Sequence, residues 1–139
     1  MGDQSWHSVD LPHGRDAGPQ ARGLLRAALG PDGAALPDHA LADVLIVAGE
    51  LVENAVDHGE PSALGAIQFS WRLHGARVEV CVVDSTSGPG FSHEARDIFD
   101  LDSARGRGLM MVDVISERWA VEQDPTSGTT AVSAVLSVG

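Results

Sequence analysis

The stretch Glu50-Leu51-Val52-Glu53-Asn54-Ala55-Val56-Asp57-His58-Gly59 carries polar side chains where a helix that only packs would carry none, and the rest of the chain is organised around it. Glu50 and Asn54 are four residues apart, so on a helix they stand one above the other on the same face, and His58 continues the row by one turn. Leu41, Val44, Leu45, Ala48, Leu51, Val52 and Ala55 follow an i, i+3, i+4, i+7 pattern that places a core stripe away from Glu50. One side packs; the other offers a carboxylate beside a carboxamide. Such pairs also occur on plain solvated helix faces, and His58 before Gly59 and Pro61 equally reads as a last-turn residue answering exposed carbonyls. The remaining sequence decides between these readings.

Working outward, Pro37-Asp38 opens this helix with Asp38 as its N-cap, and Gly59-Glu60-Pro61 breaks it after His58. Upstream, Gln20 to Leu29 reads as a helix with Leu24, Leu25, Ala28 and Leu29 on one side, ended by Gly30-Pro31. Residues 1–18 are polar and punctuated by Pro12, Gly14 and Gly18, with Trp6 to Leu11 as an edge strand; residues 19–139 form the domain proper. Downstream the texture changes to period two. Ala66 to Leu73, a His74-Gly75 turn and Arg77 to Asp84 predict a β-hairpin. A long loop from Ser85 to about Arg107 carries Gly88, Pro89, Gly90 and Gly106 around a polar, short-helix segment from His93 to Asp102; loops of this length are usually lids or binding loops. Gly108 to Arg118 reads as a third helix that buries Leu109, Met110, Val112, Ile115 and Trp119. Trp119 to Glu122 and Thr129 to Val138 then form a second hairpin. The predicted fold is α+β: a two-layer α/β sandwich, helices on one face of a mixed, mainly antiparallel sheet, with a pocket between the layers under the long loop.

The chain's 139 residues fit one domain, and 43% hydrophobic residues is ordinary for a soluble globular protein. No stretch is apolar for the length of a bilayer, and Met1 to Leu11 lacks the pattern of a signal peptide, so a cytoplasmic protein without membrane attachment is expected. The net charge of −11 leaves no basic face for phosphate backbones and argues against direct nucleic-acid binding. All 9 basic residues are arginine, which excludes the phosphate-binding lysine of a Walker loop. A nucleotide would have to be held by backbone amides, arginine or metal. The lone Cys81, within an apolar run, reads as a small buried hydrophobe.

Asp84 ends an apolar strand and opens the glycine-containing loop. It either accepts from an exocyclic amine at the rim of a pocket or bonds locally as a turn residue. Gly106-Arg107-Gly108 stands directly before the third helix, where amides and the helix N-terminus approach an anion closely. In order, the chain therefore shows a helix with Glu50 and Asn54, a strand ending in Asp84, a loop, Gly106-x-Gly108 and a helix, and a closing strand with Thr129 and Thr130.

In that order the chain resembles the ATP-binding domain shared by DNA gyrase, the heat-shock chaperone ATPases and histidine kinases, the GHKL or Bergerat fold. ELVENAVDHG resembles the N box of that family, VVDSTSGPG the box with the adenine-contacting aspartate, GRGLMMVDVI the glycine box after the ATP lid, and GTTAVSAVL the last strand. The likeness covers roughly residues 20–138 and, among single-domain members, is greatest to anti-sigma-factor serine/threonine kinases. Those phosphorylate an anti-anti-sigma (STAS-type) protein and sequester a sigma factor. The resemblance implies ATP and Mg²⁺ as ligands, such partners, and room for a homodimer. It implies Glu50 as the base toward the attacking hydroxyl and Asn54 as the Mg²⁺ ligand. Asp84 would read adenine, Gly88 would let the base approach the backbone, Gly106 and Gly108 would wrap the phosphates, and Thr130 would assist at the adenine. Arg105 and Arg107 are the nearest fixed positive charges, facing either phosphate or solvent.

The chain departs from the family at Thr86, where a glycine is usual; its β-carbon narrows the pocket or fixes the loop differently. Two functions are therefore expected to compete: a Mg-ATP-dependent protein kinase acting on a small regulator, favoured by Glu50, and a binding module of the same fold that sequesters a sigma factor or other regulator, favoured by Thr86.

Overall fold

The computed structural model describes residues 5–58, 66–85, 104–124 and 126–139. Along the chain lie β1 (His7–Pro12), α1 (Ala17–Leu29), α2 (Asp38–His58), β2 (Ala66–His74), β3 (Arg77–Ser85), α3 (Ala104–Ile115), β4 (Arg118–Asp124) and β5 (Thr129–Ser137). The strands form a 5-stranded sheet in the order β1-β2-β3-β5-β4, and all four pairings are antiparallel. The expected α+β sandwich is present. Thr86, Gly88, Pro89, Gly90 and the segment His93 to Asp102 fall outside the described residues.

Alternation within the strands decides which face is covered. Val78, Val80 and Val82 of β3 lie in register with Leu136, Ala134 and Val132 of β5, and all six are buried. Phe69 and Trp71 of β2 extend the same rows, as do Trp119 and Val121 of β4, which pack half-buried against this core. α2 covers the face, packing on β2, β3 and β5 with α1 and α3 at its sides. The α2 residues that fill the interface are Val44, Val47, Ala48, Leu51, Val52 and Ala55, each at most 3% exposed. Leu41 and Leu45, expected in this stripe, are only half-buried at its edge.

Local details differ from the expectations for identifiable reasons. α1 starts at Ala17 rather than Gln20: Pro19 sits in the first turn, where a missing N–H costs nothing, and Ala17 and Ala21 join Leu25 and Leu29 in the core. Leu24 falls on the outer side and is exposed. In α2 the first helical bond runs from the Leu41 N–H to the Pro37 carbonyl, so Pro37 holds the cap position and Asp38 is the first helical residue, its charge answering the helix dipole. The hairpin turn is Gly75-Ala76, one residue later than expected, with Gly75 at φ +61°, which glycine adopts without cost.

The third helix shifts most. It spans Ala104–Ile115 rather than beginning at Gly108, and Arg118 and Trp119 belong to β4. Leu109 and Val112 face the core as expected, but Met110 is 48% exposed. Trp119 instead packs on the sheet and donates its indole N–H to Asp113 Oδ1 at 2.9 Å. On the other face of the sheet, Cys81 is half-buried, and burial first and Glu122 second push its thiol pKa up. The thiolate is thereby disfavoured, in keeping with a packing role. Among the described residues no helix is long and apolar enough to cross a membrane.

Candidate functional site

The antiparallel connections bring particular chain ends together. β3 ends at Ser85, β5 begins at Thr129 and β4 ends at Asp124, all at one edge of the sandwich, where β2 also begins at Ala66. α2 leads into β2 at that edge through residues 59–65.

On α2, Glu50 is half-buried, and its carboxyl pKa is raised first by burial and second by the neighbouring Glu53, with Arg22 acting in the opposite direction. Arg22 reaches α2 from α1. Its Nη1 lies 3.4 Å from Glu53 Oε1, and Gly49 makes the approach possible, since a β-carbon there would come within 2.7 Å of the same nitrogen. Sequence reading named neither Arg22 nor the close approach at Gly49. Glu50 and Glu53 line an open cleft of about 400 Å³ whose opposite wall holds Arg22 and Arg26. One turn further along, Asn54 is half-buried, and its Oδ1 is shielded from solvent with no hydrogen-bond partner among the described residues. A buried acceptor left empty is costly, so this oxygen is available to a donor or a cation beyond the described residues.

At the sheet edge, Asp84 continues the inward-facing series Val78, Val80, Val82 and stands in register with Thr130 of β5. Thr130 is 8% exposed, and its Oγ1 has no partner among the described residues. Gln123 of β4 stands opposite Thr130, and its Nε2 is likewise buried and unpaired there. Gln123 was not foreseen, although its place two residues after Val121 on an inward-facing strand carried the signal. Thus Asp84, Thr130 and Gln123 form a polar row across three adjacent strands, ending a face that is otherwise apolar.

Arg105, Gly106, Arg107 and Gly108 do not precede α3; they lie in its first turns. The expectation of a glycine loop directly before the helix is corrected accordingly. Only the first turn of an α-helix has N–H groups without intrahelical acceptors, so Arg105 and Gly106 lie where an anion could be met and Gly108, the fifth helical residue, lies beyond it. Gly88 lies outside the described residues.

A metal fits this donor set in one way. No cluster of three or more His, Cys, Asp or Glu side chains that would hold an ion exists among the described residues. Mg²⁺, however, commonly takes one or two protein oxygens and completes its shell with phosphate and water, and the orphaned Asn54 Oδ1 is such an oxygen.

Residues 15–135 match the model of the histidine kinase-like ATPase domain. The chain belongs to that family. The match takes in α1, α2, the polar row and α3, so the Glu50–Asn54 face and the Asp84–Thr130 pair belong to an ATP-binding domain of the GHKL type. No curated protein matches the chain.

Proposed function

We propose that this histidine kinase-like ATPase domain is an ATP-dependent protein serine/threonine kinase that regulates transcription as an anti-sigma factor, with an anti-anti-sigma (STAS-type) protein as its phosphoacceptor. The observation that carries the enzymatic part is the pairing on α2 of a desolvated carboxyl at Glu50 with the vacant buried oxygen of Asn54 one turn on. A raised carboxyl pKa moves a general base toward the working pH, and Glu50 opens onto a cleft wide enough to admit a side chain from a second protein.

In this reading Asp84 and Thr130 hold the adenine at the sheet edge, and the N-terminal amides of α3 hold phosphate oxygens. Asn54 would be the protein ligand of Mg²⁺, which when bound neutralises charge on the β- and γ-phosphates. Glu50 accepts the proton of the substrate hydroxyl as its oxygen bonds to the γ-phosphorus; the bond from that phosphorus to the bridging oxygen breaks, and ADP departs with the electron pair. The protein supplies position and charge rather than a covalent intermediate.

The test combines binding with transfer, using ATP, Mg²⁺ and a STAS-type protein with a conserved-position serine or threonine as acceptor. Glu50→Gln should keep ATP affinity while lowering transfer by roughly 10²- to 10⁴-fold. Asn54→Ala should bind ATP without the Mg²⁺ dependence of wild type. Should wild type bind its partner tightly in the absence of nucleotide and transfer phosphate to none, the sequestering module suggested by Thr86 is the function instead.

A further inference from the structure

We propose that Gln123 is a further base-reading residue, whose side-chain amide donates a hydrogen bond to the ring-nitrogen edge of adenine around C2, on the far side of Thr130 from Asp84. The inference rests on the ATP-binding reading of the site and extends it to a strand that none of the sequence motifs includes.

Three observations converge on it. First, Gln123 is in phase with Trp119 and Val121, both of which pack against the core, while Glu122 and Asp124 on the alternate positions are exposed. A glutamine needed only for solubility on an edge strand belongs on that exposed side, not on the covered one. Second, its Nε2 is buried without a partner among the described residues. Third, Thr130 stands directly opposite in the β4–β5 register, more than nine-tenths buried, with its hydroxyl oxygen equally unpaired. An amide donor and a hydroxyl on neighbouring strands, unpaired among the described residues, leave two adjacent places for a third group.

The chemistry of that group follows from the order of the row. With strands about 4.8 Å apart, the line from Asp84 through Thr130 to Gln123 spans about 10 Å. It presents a carboxylate acceptor, then a hydroxyl, then an amide donor. Adenine offers the complementary sequence along one edge: the N6 donor, the N1 acceptor, and beyond C2 the N3 acceptor. Guanine reverses it, with a carbonyl, an N1 donor and a 2-amino donor. Asp84 thus rejects guanine by facing its carbonyl, whereas the Gln123 amide serves adenine through its nitrogen and can turn its oxygen toward a 2-amino group.

Calorimetric titration of wild type, Gln123→Leu and Gln123→Glu with ATP and with 2-aminoadenosine triphosphate tests the assignment. Wild type should bind both, because the amide presents its nitrogen to one and its oxygen to the other. Gln123→Leu should bind ATP roughly 3- to 10-fold more weakly, the loss of one neutral hydrogen bond, while its ligand-free melting temperature stays the same or rises, because a buried unpaired amide has been removed. Gln123→Glu should shift the preference toward the 2-amino analogue, since a carboxylate repels the ring nitrogen but accepts from the added 2-amino group. Unchanged ATP affinity in Gln123→Leu overturns the proposal. A lowered melting temperature in that variant, with no shift toward the 2-amino analogue in Gln123→Glu, overturns it too, by showing a purely structural role. If wild type binds ATP with an Asp84-dependent preference and the Gln123 variants behave as wild type, the assignment of Gln123 falls alone. If wild type binds no ATP, the nucleotide reading falls and this inference with it.

Discussion

The two ends of the covered sheet face share strands β3 and β5 and differ in what they leave unsatisfied. In the interior, Phe69, Val82 and Val132 lie in one cross-strand row and Trp71, Val80 and Ala134 in the next, every one buried and apolar. Two residues further along β3 and β5 the row becomes Asp84 and Thr130, continued on β4 by Gln123. The first end meets its needs from within the chain. The second holds a buried hydroxyl oxygen and a buried amide nitrogen that lack partners among the described residues. Asn54 on α2 has the same character, whereas Val44, Val47 and Val52 on that helix do not. Folding free energy is thus supplied at one end and spent on ligand readiness at the other, a division expected where function requires groups that folding alone would not retain.

Substitutions at the two ends should separate accordingly, and the largest effect belongs to the apolar one. Phe69 is fully buried under α2, in contact with Trp71 at 5.5 Å between ring centroids. Phe69→Ala should lower the unfolding free energy by about 3–5 kcal/mol, read from urea denaturation, and should reduce nucleotide binding only through the unfolded fraction. A folded Phe69→Ala protein with selectively weakened ATP binding would blur the division between the two ends.

At the polar end the order of effects reverses. Asp84→Asn should leave the melting temperature near that of wild type but weaken ATP binding, by about 1–3 kcal/mol or roughly 5- to 150-fold, and shrink the preference for ATP over GTP. The amide can turn its nitrogen toward the guanine carbonyl, which a carboxylate cannot. Titration with both nucleotides, with circular dichroism as the folding control, decides. Equal affinity of wild type for ATP and GTP, or unaltered ATP affinity in a folded Asp84→Asn protein, would make Asp84 a turn residue after all.

The apolar end was the more legible in sequence because burial imposes periodicity. Val78, Val80 and Val82 alternate and Val44, Ala48, Leu51, Val52 and Ala55 recur at helical spacing, so the sandwich could be drawn from pattern alone. Glu50, Asn54 and Asp84 were legible because polar residues in or beside an apolar pattern violate it. Gln123 violates it too. It passed unnoticed because an edge strand of alternating texture, from Arg118 to Asp124, has polar residues on both sides of it in sequence, and only the register with Thr130 shows which side is covered. The start of α3 was misplaced for a different reason: Gly106 and Gly108 read as helix breakers, yet glycine costs only about 1 kcal/mol within a helix and is tolerated in a first turn. Arg22 could not be assigned at all, since its approach to Glu53 joins positions 31 residues apart through a helix crossing that no local pattern encodes.

The smallest effect expected concerns Glu50, which belongs to both halves of the comparison: it lies on the packing helix and is the base we propose for phosphoryl transfer. Its folded-state pKa is raised, by burial first and by Glu53 second, with Arg22 partly opposing them. A raised pKa means that the folded protein holds the Glu50 proton more tightly than the unfolded chain does. The favourable contribution of the protonated group is therefore complete below the unfolded value, near 4.5, and is lost as pH rises through the higher folded value. At neutral pH the ionised carboxylate is a net burden on the fold, kept below about 1 kcal/mol because Glu50 is only half-buried and still screened by solvent. Glu50→Gln should then be slightly more stable than wild type at pH 7, with the difference closing as pH falls toward 4, while phosphoryl transfer is lost. Paired urea denaturations across that range measure the difference directly. A Glu50→Gln protein that is less stable at pH 7, or whose advantage grows on acidification, would show that the carboxylate is held by favourable contacts with Arg22 and serves the fold, placing Glu50 with the satisfied end of the molecule rather than with its chemistry.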